Sequence, residues 1–153
     1  MGFFQFQREQ IIHASMDEVW DFISSPQNLK KITPEYMGFD IRTPNAADKI
    51  YEGMIIRYTV RPLLGINTNW VTEITHVVDK SYFVDEQRVG PYAFWHHQHR
   101  IVQTEEGVLM RDIVSYKPPL GFLGSIVNTL FIEKMLKQIF DHRTKVFEKL
   151  FPL

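Results

Sequence analysis

The sequence predicts an α+β domain, in which a curved antiparallel sheet of seven strands wraps one long C-terminal helix and two short helices follow the first strand. One observation is a series of segments with alternating apolar and polar residues, joined by short turns, which is typical of antiparallel strands. Another is a continuous helical pattern over residues 122–150. A sheet with one apolar face must cover that face, and only this helix is large enough to do so.

The chain begins with a predicted strand over residues 3–13, followed by two short helices. Residues 15–18 read Ser-Met-Asp-Glu, the form of a capping box, in which the Ser15 hydroxyl accepts from a helical N–H and Glu18 reaches back to the backbone of Ser15. Pro26 suits the first position of the second helix, where its missing N–H costs nothing. Thr33-Pro34 is expected to end that helix.

Further strands follow, and the last two form a predicted hairpin around Glu105-Glu106-Gly107. Pro118-Pro119 stops strand pairing before the long helix begins. The predicted bounds of these strands are 37–43, 53–61, 66–78, 81–88, 93–103 and 107–117.

The long helix has two different halves. Its C-terminal part is amphipathic at the period of 3.6 residues, so one stripe should face the sheet. That stripe contains Ile132, Met135, Leu136, Ile139, Val146, Phe147 and Leu150. The preceding part, within residues 119–132, is apolar nearly all round. It is predicted to be buried on every side, to form an apolar lid, or to contact a partner or a membrane surface.

Composition limits the function. A chain of 153 residues fits one domain, and we expect residues 1–153 to form it. The net charge of −1 provides no electrostatic surface for nucleic acid. There is no cysteine, no apolar run long enough to span a membrane and no signal-peptide pattern, so we expect a cytoplasmic protein. Phosphate-binding glycine motifs are missing as well, so no cofactor is expected.

The alternation of side chains along the strands predicts a polar cluster on the inward face of the sheet. In the segment 94–101 the more polar alternate set should face water, which turns the opposite set inward. The inward set is Trp95, His97, His99 and Ile101. The same argument turns Asp112 inward opposite His99, and places Asp85 beside His97. The predicted cluster is Asp85, Gln87, His97, His99, Asp112 and Tyr116.

Three interpretations of this cluster stay open. It could be a satisfied hydrogen-bond network that shapes the cavity floor, because buried polar groups usually pair with one another. It could instead hold the polar head group of a ligand. Finally, His97, His99 and Asp112 are candidate acid–base groups and have metal-ligand chemistry. Alternate strand positions are a weak metal signature, so we expect no metal.

Arg143 is unusual because it falls near the centre of the apolar helix stripe. A buried guanidinium needs a partner. Rises of about 1.5 Å per helical residue and about 3.3 Å per strand residue put Asp112 at a different level along the sheet. We therefore expect a carboxylate or carbonyl partner for Arg143 within residues 15–34.

An ordered set of short segments resembles the SRPBCC superfamily (START/Bet v1-like, helix-grip), and in particular its bacterial polyketide cyclase/dehydrase-like or ligand-binding members. The segments are His13–Ser15, Val19–Phe22, Ile32–Pro34, Gly53–Tyr58, Trp70–Ile74, Phe83–Gln87, Gly90–Tyr92, Trp95, His97, His99, Asp112, Tyr116 and Pro119–Gly121. The resemblance implies a helix-grip fold with a cavity for hydrophobic or amphipathic molecules such as lipids, sterols and polyketides. The superfamily has no common catalytic residues, so it assigns no residue a role.

We therefore predict a protein that binds a small hydrophobic or lipid-like molecule, for transport or sensing, rather than an enzyme. The alternative is a cyclase, dehydratase or isomerase that acts on a polyketide-like or steroid-like substrate. The oligomeric state is left open. The predicted ligand-binding residues are the inward strand positions and the facing helix stripe: Ile56, Tyr58, Trp70, Phe83, Asp85, Trp95, His97, His99, Met110, Asp112, Val114, Tyr116, Ile132, Met135 and Leu136.

Overall fold

A computed structural model describes residues 2–44, 47–61 and 65–153. It contains a curved seven-stranded antiparallel sheet in the order β1-β7-β6-β5-β4-β3-β2. The strands are β1 (Phe4–Ile12), β2 (Asp40–Ile41), β3 (Ile55–Val60), β4 (Thr68–Val78), β5 (Tyr82–Val89), β6 (Phe94–Thr104) and β7 (Gly107–Lys117). The predicted α+β helix-grip fold is confirmed.

The predicted capping box at the first helix, α1 (Met16–Ile23), is present. The Ser15 hydroxyl accepts from the backbone N–H of Glu18, and a carboxylate oxygen of Glu18 accepts from the backbone N–H of Ser15 at 2.8 Å. The second short helix is a 3-10 turn, Pro26–Lys30, with Pro26 at its start. A further 3-10 turn, Glu35–Met37, leads into β2. Together these segments cover one end of the sheet.

The strand register that positions the polar residues is also as predicted. The β6–β7 hairpin pairs Ile101 with Met110 and His99 with Asp112. Asp85 on β5 pairs with His97 on β6. Because side chains alternate along a strand, this register turns the acidic residues and both histidines to the concave face of the sheet.

The C-terminal helical segment consists of α2 (Gly121–Val127), a π-helical turn (Asn128–Ile132) and α3 (Glu133–Leu150). Buried side chains on its inner side, among them Leu136, Phe140 and Phe147, pack against the sheet and α1. In the described ranges, no helix is both long and apolar enough to cross a bilayer.

The first part of this helical segment is not buried on every side, which excludes one of the predicted alternatives. Several of its large apolar side chains face solvent, and Phe122 is 80% exposed. The exposed set, which we call the α2 apolar surface, is Leu120, Phe122, Leu123, Ile126, Leu130 and Phe131.

Candidate functional site

A cavity of about 160 Å³ lies between the concave face of the sheet, the short helices and α3. Most of its wall is aliphatic and aromatic, and three of its titratable groups, Asp85, His97 and His99, come from β5 and β6. The predicted residues that line it are Ile56, Tyr58, Trp70, Phe83, Asp85, Trp95, His97, His99, Met110, Met135 and Leu136. Strand parity therefore located most of the wall, because alternate positions of neighbouring strands point to one side.

Four predicted residues lie outside this lining: Asp112, Val114, Tyr116 and Ile132. Val114 and Ile132 are fully buried, in the cluster where the helix packs on β7. Tyr116 belongs to the same cluster and donates a hydrogen bond to Oδ1 of Asn128 at 2.6 Å. Gln87 is separate from the polar cluster as well, because its side-chain amide bonds the backbone N–H and C=O of Tyr92.

Other lining residues were missed by the sequence argument. Some come from the short helices, for example Leu29 and Ile32, and others from the far part of α3, Phe140 and Arg143. Their apolar periodicity marks them as inward-facing, but periodicity does not distinguish a cavity wall from a packed core. Arg143 had a clearer signal, since a charged residue on an apolar stripe needs a special environment.

The polar cluster consists of Asp85, His97, His99 and Asp112, and each imidazole lies between the two carboxylates. The shorter contacts are crossed: His97 Nε2 lies 2.8 Å from Asp112 Oδ1, and His99 Nε2 lies 2.6 Å from Asp85 Oδ2. The longer ones join His99 Nδ1 to Asp112 Oδ1 at 3.2 Å and His97 Nδ1 to Asp85 Oδ2 at 3.6 Å. The predicted proximity of His99 to Asp112 is thus present, with Asp85 closer.

These distances indicate where the protons are. A carboxylate only accepts, so each of the two short contacts requires an N–H at Nε2. The 3.2 Å contact at Nδ1 of His99 is favourable only if this nitrogen is protonated too, which makes His99 an imidazolium. Nδ1 of His97 is farther from its carboxylate, so His97 satisfies its short bond as a neutral ring. With Arg143 nearby, two negative and two positive charges then balance.

The pKa shifts agree with this arrangement. Burial alone would lower the pKa of His99, but its contacts with Asp112 and Asp85 outweigh burial and raise the pKa above 6.5. Burial, together with the charge of His99, lowers the pKa of His97. For both acids burial acts in the opposite direction, yet the hydrogen bonds from the histidines hold the pKa values of Asp85 and Asp112 below 3.8.

Arg143 contacts Asp112, and the expectation of a partner within residues 15–34 was wrong. Its Nη1 lies 3.4 Å from Asp112 Oδ1. The estimate from the rise per residue, which put Arg143 and Asp112 at different levels, assumed that the helix runs parallel to β7. Asn128 of the helical segment contacts Tyr116 of β7, and Arg143 contacts Asp112. Asn128 and Arg143 are about 22 Å apart along the helix, whereas Tyr116 and Asp112 are only about 13 Å apart along β7. The helix therefore crosses the strand at an angle.

The cluster could serve as an acid–base pair or as a metal site. Ligand atoms of Asp85, His97 and His99 lie within 4.8 Å of one another, and in the described parts of the chain no other such group of three is found. An ion would have to break the 2.6 Å bond between His99 and Asp85, and it would bring further positive charge close to Arg143. Mutual hydrogen bonding therefore accounts for the geometry more directly than metal coordination does.

The sequence and the fold agree with those of known proteins. A family model described as "Polyketide cyclase / dehydrase and lipid transport" matches residues 12–141. The chain belongs to this family. It is 34% identical to a Streptomyces halstedii protein named "Putative polyketide cyclase" over 111 residues, which are 70% of this chain and 95% of that protein.

Solved structures show that the fold of this family member is widespread. A START superfamily protein from Mycobacterium smegmatis matches with a TM-score of 0.69 and 14% identity, over 96% of both chains. The ginseng major latex-like protein 151 from Panax ginseng matches with a TM-score of 0.70 and 11% identity, over 99% of both chains. At such low identity the likeness concerns the fold alone.

Proposed function

We propose that residues 1–153 act as a single domain that binds a small hydrophobic or amphipathic molecule in the cavity between sheet and helix. The observation that carries this proposal is the cavity itself, a mostly apolar space that includes one cluster of titratable groups in its wall. Such a combination is typical of small-molecule sites, in which apolar walls supply affinity and a few polar groups fix orientation.

The aromatic wall supports an apolar ligand. The rings of Tyr58 and Trp70 stack with centroids 5.8 Å apart, and Trp95 meets Trp70 edge-on at 5.2 Å. Their polar atoms are largely engaged elsewhere, since the Trp70 indole N–H donates to Thr72 and the Tyr58 hydroxyl lies 3.3 Å from the same side chain. The faces left toward the cavity are therefore suited to hydrocarbon or aromatic groups. The family description, which includes lipid transport, agrees with this ligand class.

Filling the cavity tests the proposal. Met135 lines the cavity from α3, so Met135→Trp should occupy much of the space, and we expect at least fivefold weaker binding of naphthalene, a small neutral fluorescent hydrocarbon. Gln138→Trp makes the same addition on the exposed side of α3 and should leave binding unchanged. Naphthalene fluorescence gives the affinity, and native mass spectrometry of gently purified protein would show any retained ligand. Equal binding by both variants, or no binding by the wild type, would contradict the proposal.

A second candidate function is catalysis of a cyclisation, dehydration or isomerisation on a polyketide-like substrate. It is supported by His97, a buried imidazole in the cavity wall whose lowered pKa favours the neutral, proton-accepting form. Asp112 lies behind the imidazoles, so in this function it would position them rather than touch substrate. Turnover of a poly-β-ketone that is lost in His97→Gln, with naphthalene binding retained, would favour this function.

We also propose that the protein acts in the cytoplasm and that the α2 apolar surface contacts membranes peripherally. The exposure of Phe122 and Leu130, about two turns apart on one helical segment, supports such a contact. Flotation with liposomes tests it.

A further inference from the structure

The guanidinium of Arg143 is buried but poorly paired. The residue is only 6% exposed, and its Nε has no hydrogen-bond partner among the described residues. Its one carboxylate contact is the 3.4 Å approach of Nη1 to Asp112. The face of the group lies over the Phe140 ring, with Cζ 4.6 Å from its centroid. A buried cation with an unsatisfied donor is costly.

Asp112 does not bond Nε of Arg143. Its Oδ1 is already within 2.8 Å of His97 and 3.2 Å of His99, both closer than Arg143. The carboxylate also lies outside the cavity lining, whereas Arg143 belongs to it. Arg143 therefore belongs to the cavity wall with an unsatisfied donor, whereas His99 in the same wall is already bonded to Asp85 at 2.6 Å.

We infer that the molecule bound in this cavity carries an acidic oxygen, a carboxylate or an enolate, that accepts a hydrogen bond from Nε of Arg143. The inference rests on the proposed binding function and names the ligand class. An anionic oxygen would satisfy the orphaned Nε–H with a charge-assisted hydrogen bond, which is stronger than the bond that a neutral hydroxyl would accept. The apolar remainder of the ligand would lie against the aromatic wall.

The size of the cavity limits the ligand further. About 160 Å³ is close to the roughly 150 Å³ that accommodates a benzene ring in an engineered protein cavity. A suitable probe is therefore hydrocinnamate, which has one phenyl ring and a short carboxylate chain. Its methyl ester and hydrocinnamyl alcohol have nearly the same skeleton without the negative charge.

The experiment measures displacement of naphthalene by these three compounds at neutral pH. We expect hydrocinnamate to bind the wild-type protein at least tenfold more tightly than the ester or the alcohol, as a charge-assisted hydrogen bond in a buried site implies. Arg143→Met should abolish that preference while naphthalene still binds. Lys145→Gln removes a charge from the exposed side of the same helix and should keep the preference.

Other outcomes separate the two proposals. If naphthalene binds but the three compounds compete equally or not at all, the acidic-oxygen inference is overturned and the proposed function stands. A preference that survives in Arg143→Met overturns it as well. If naphthalene does not bind, both proposals fail. Should Arg143→Met not fold, the double variant Arg143→Met/Asp112→Asn removes both buried charges together and should show the same loss of preference.

Discussion

The two ends of the C-terminal helical segment depart in opposite ways from the usual placement of charged residues at the surface and apolar residues in the core. Around Arg143, α3 buries a charge against a cluster of histidines and acids. At the other end, the α2 apolar surface leaves Phe122 and Leu130 largely in solvent. The general preferences of residue types suggest the reverse for both, since charges favour water and large apolar side chains favour the core.

The two ends also differ in how strongly their side chains depend on one another. The buried charges depend on one another, because each imidazole lies between the two carboxylates and Asp112 also faces Arg143. Removing one member leaves the others in a low-dielectric interior without compensation. The exposed apolar side chains have few neighbours to lose, so their removal should leave the folded state almost unchanged. The comparison can be tested by substituting each end.

The largest effect is expected at Asp112. Asp112→Asn removes the charge that faces His97, His99 and Arg143, and should lower the free energy of unfolding by about 3 kcal/mol. The matched control is Asp141→Asn, the same change in a half-exposed carboxylate that pairs with Arg8 and Lys137, and it should cost much less because solvent screens those pairs. Urea unfolding gives both values. Similar losses in the two variants would show that the buried cluster is not tightly coupled.

A smaller but more specific effect concerns pH. His97 and His99 should titrate on opposite sides of 6.5, His97 below and His99 above, which NMR of the ring nitrogens can measure. The contribution of His99 to stability is present below pH 6.5 and is lost as the pH rises through its raised pKa. That of His97 is present above pH 6.5 and is lost as the pH falls through its lowered pKa.

The two acids of the cluster act together at lower pH. The pKa values of Asp85 and Asp112 are lowered, so their contribution is present above pH 3.8 and is lost as the pH falls through the folded-state values. Acid unfolding should therefore be shallower in Asp112→Asn than in the wild type.

Identical titration midpoints for the two histidines would contradict the assigned proton positions.

The smallest effect on stability is expected at the α2 apolar surface. Phe122→Ser should change the free energy of unfolding by less than about 0.5 kcal/mol, because the side chain is 80% exposed. The same variant should reduce the fraction of protein that floats with liposomes. Val102→Ser, an exposed apolar position on β6, is the control and should not. A large loss of stability in Phe122→Ser would mean that this surface packs against something in solution, such as a second copy.

Much of the fold and part of the site could be predicted from local rules. The capping box at Ser15, the hairpin at Glu105-Glu106 and the inward parity of His97 and His99 depend on spacing along one or two neighbouring strands or turns. The pairing pattern within the polar cluster could not be predicted, because the crossed contacts depend on side-chain rotamers across three strands.

The sequence by itself determined the order of the strands, the register of the β6–β7 hairpin and most of the side chains that face inward from it, because these follow from periodicity and turn chemistry. Only the tertiary structure decided which inward residues line open space and which charges meet. The angle at which the helix crosses β7 brings Arg143 to Asp112, and it buries Ile132 in one cluster with Val114, outside the cavity lining. That angle results from the packing of many side chains at once, and no local pattern in the chain encodes it.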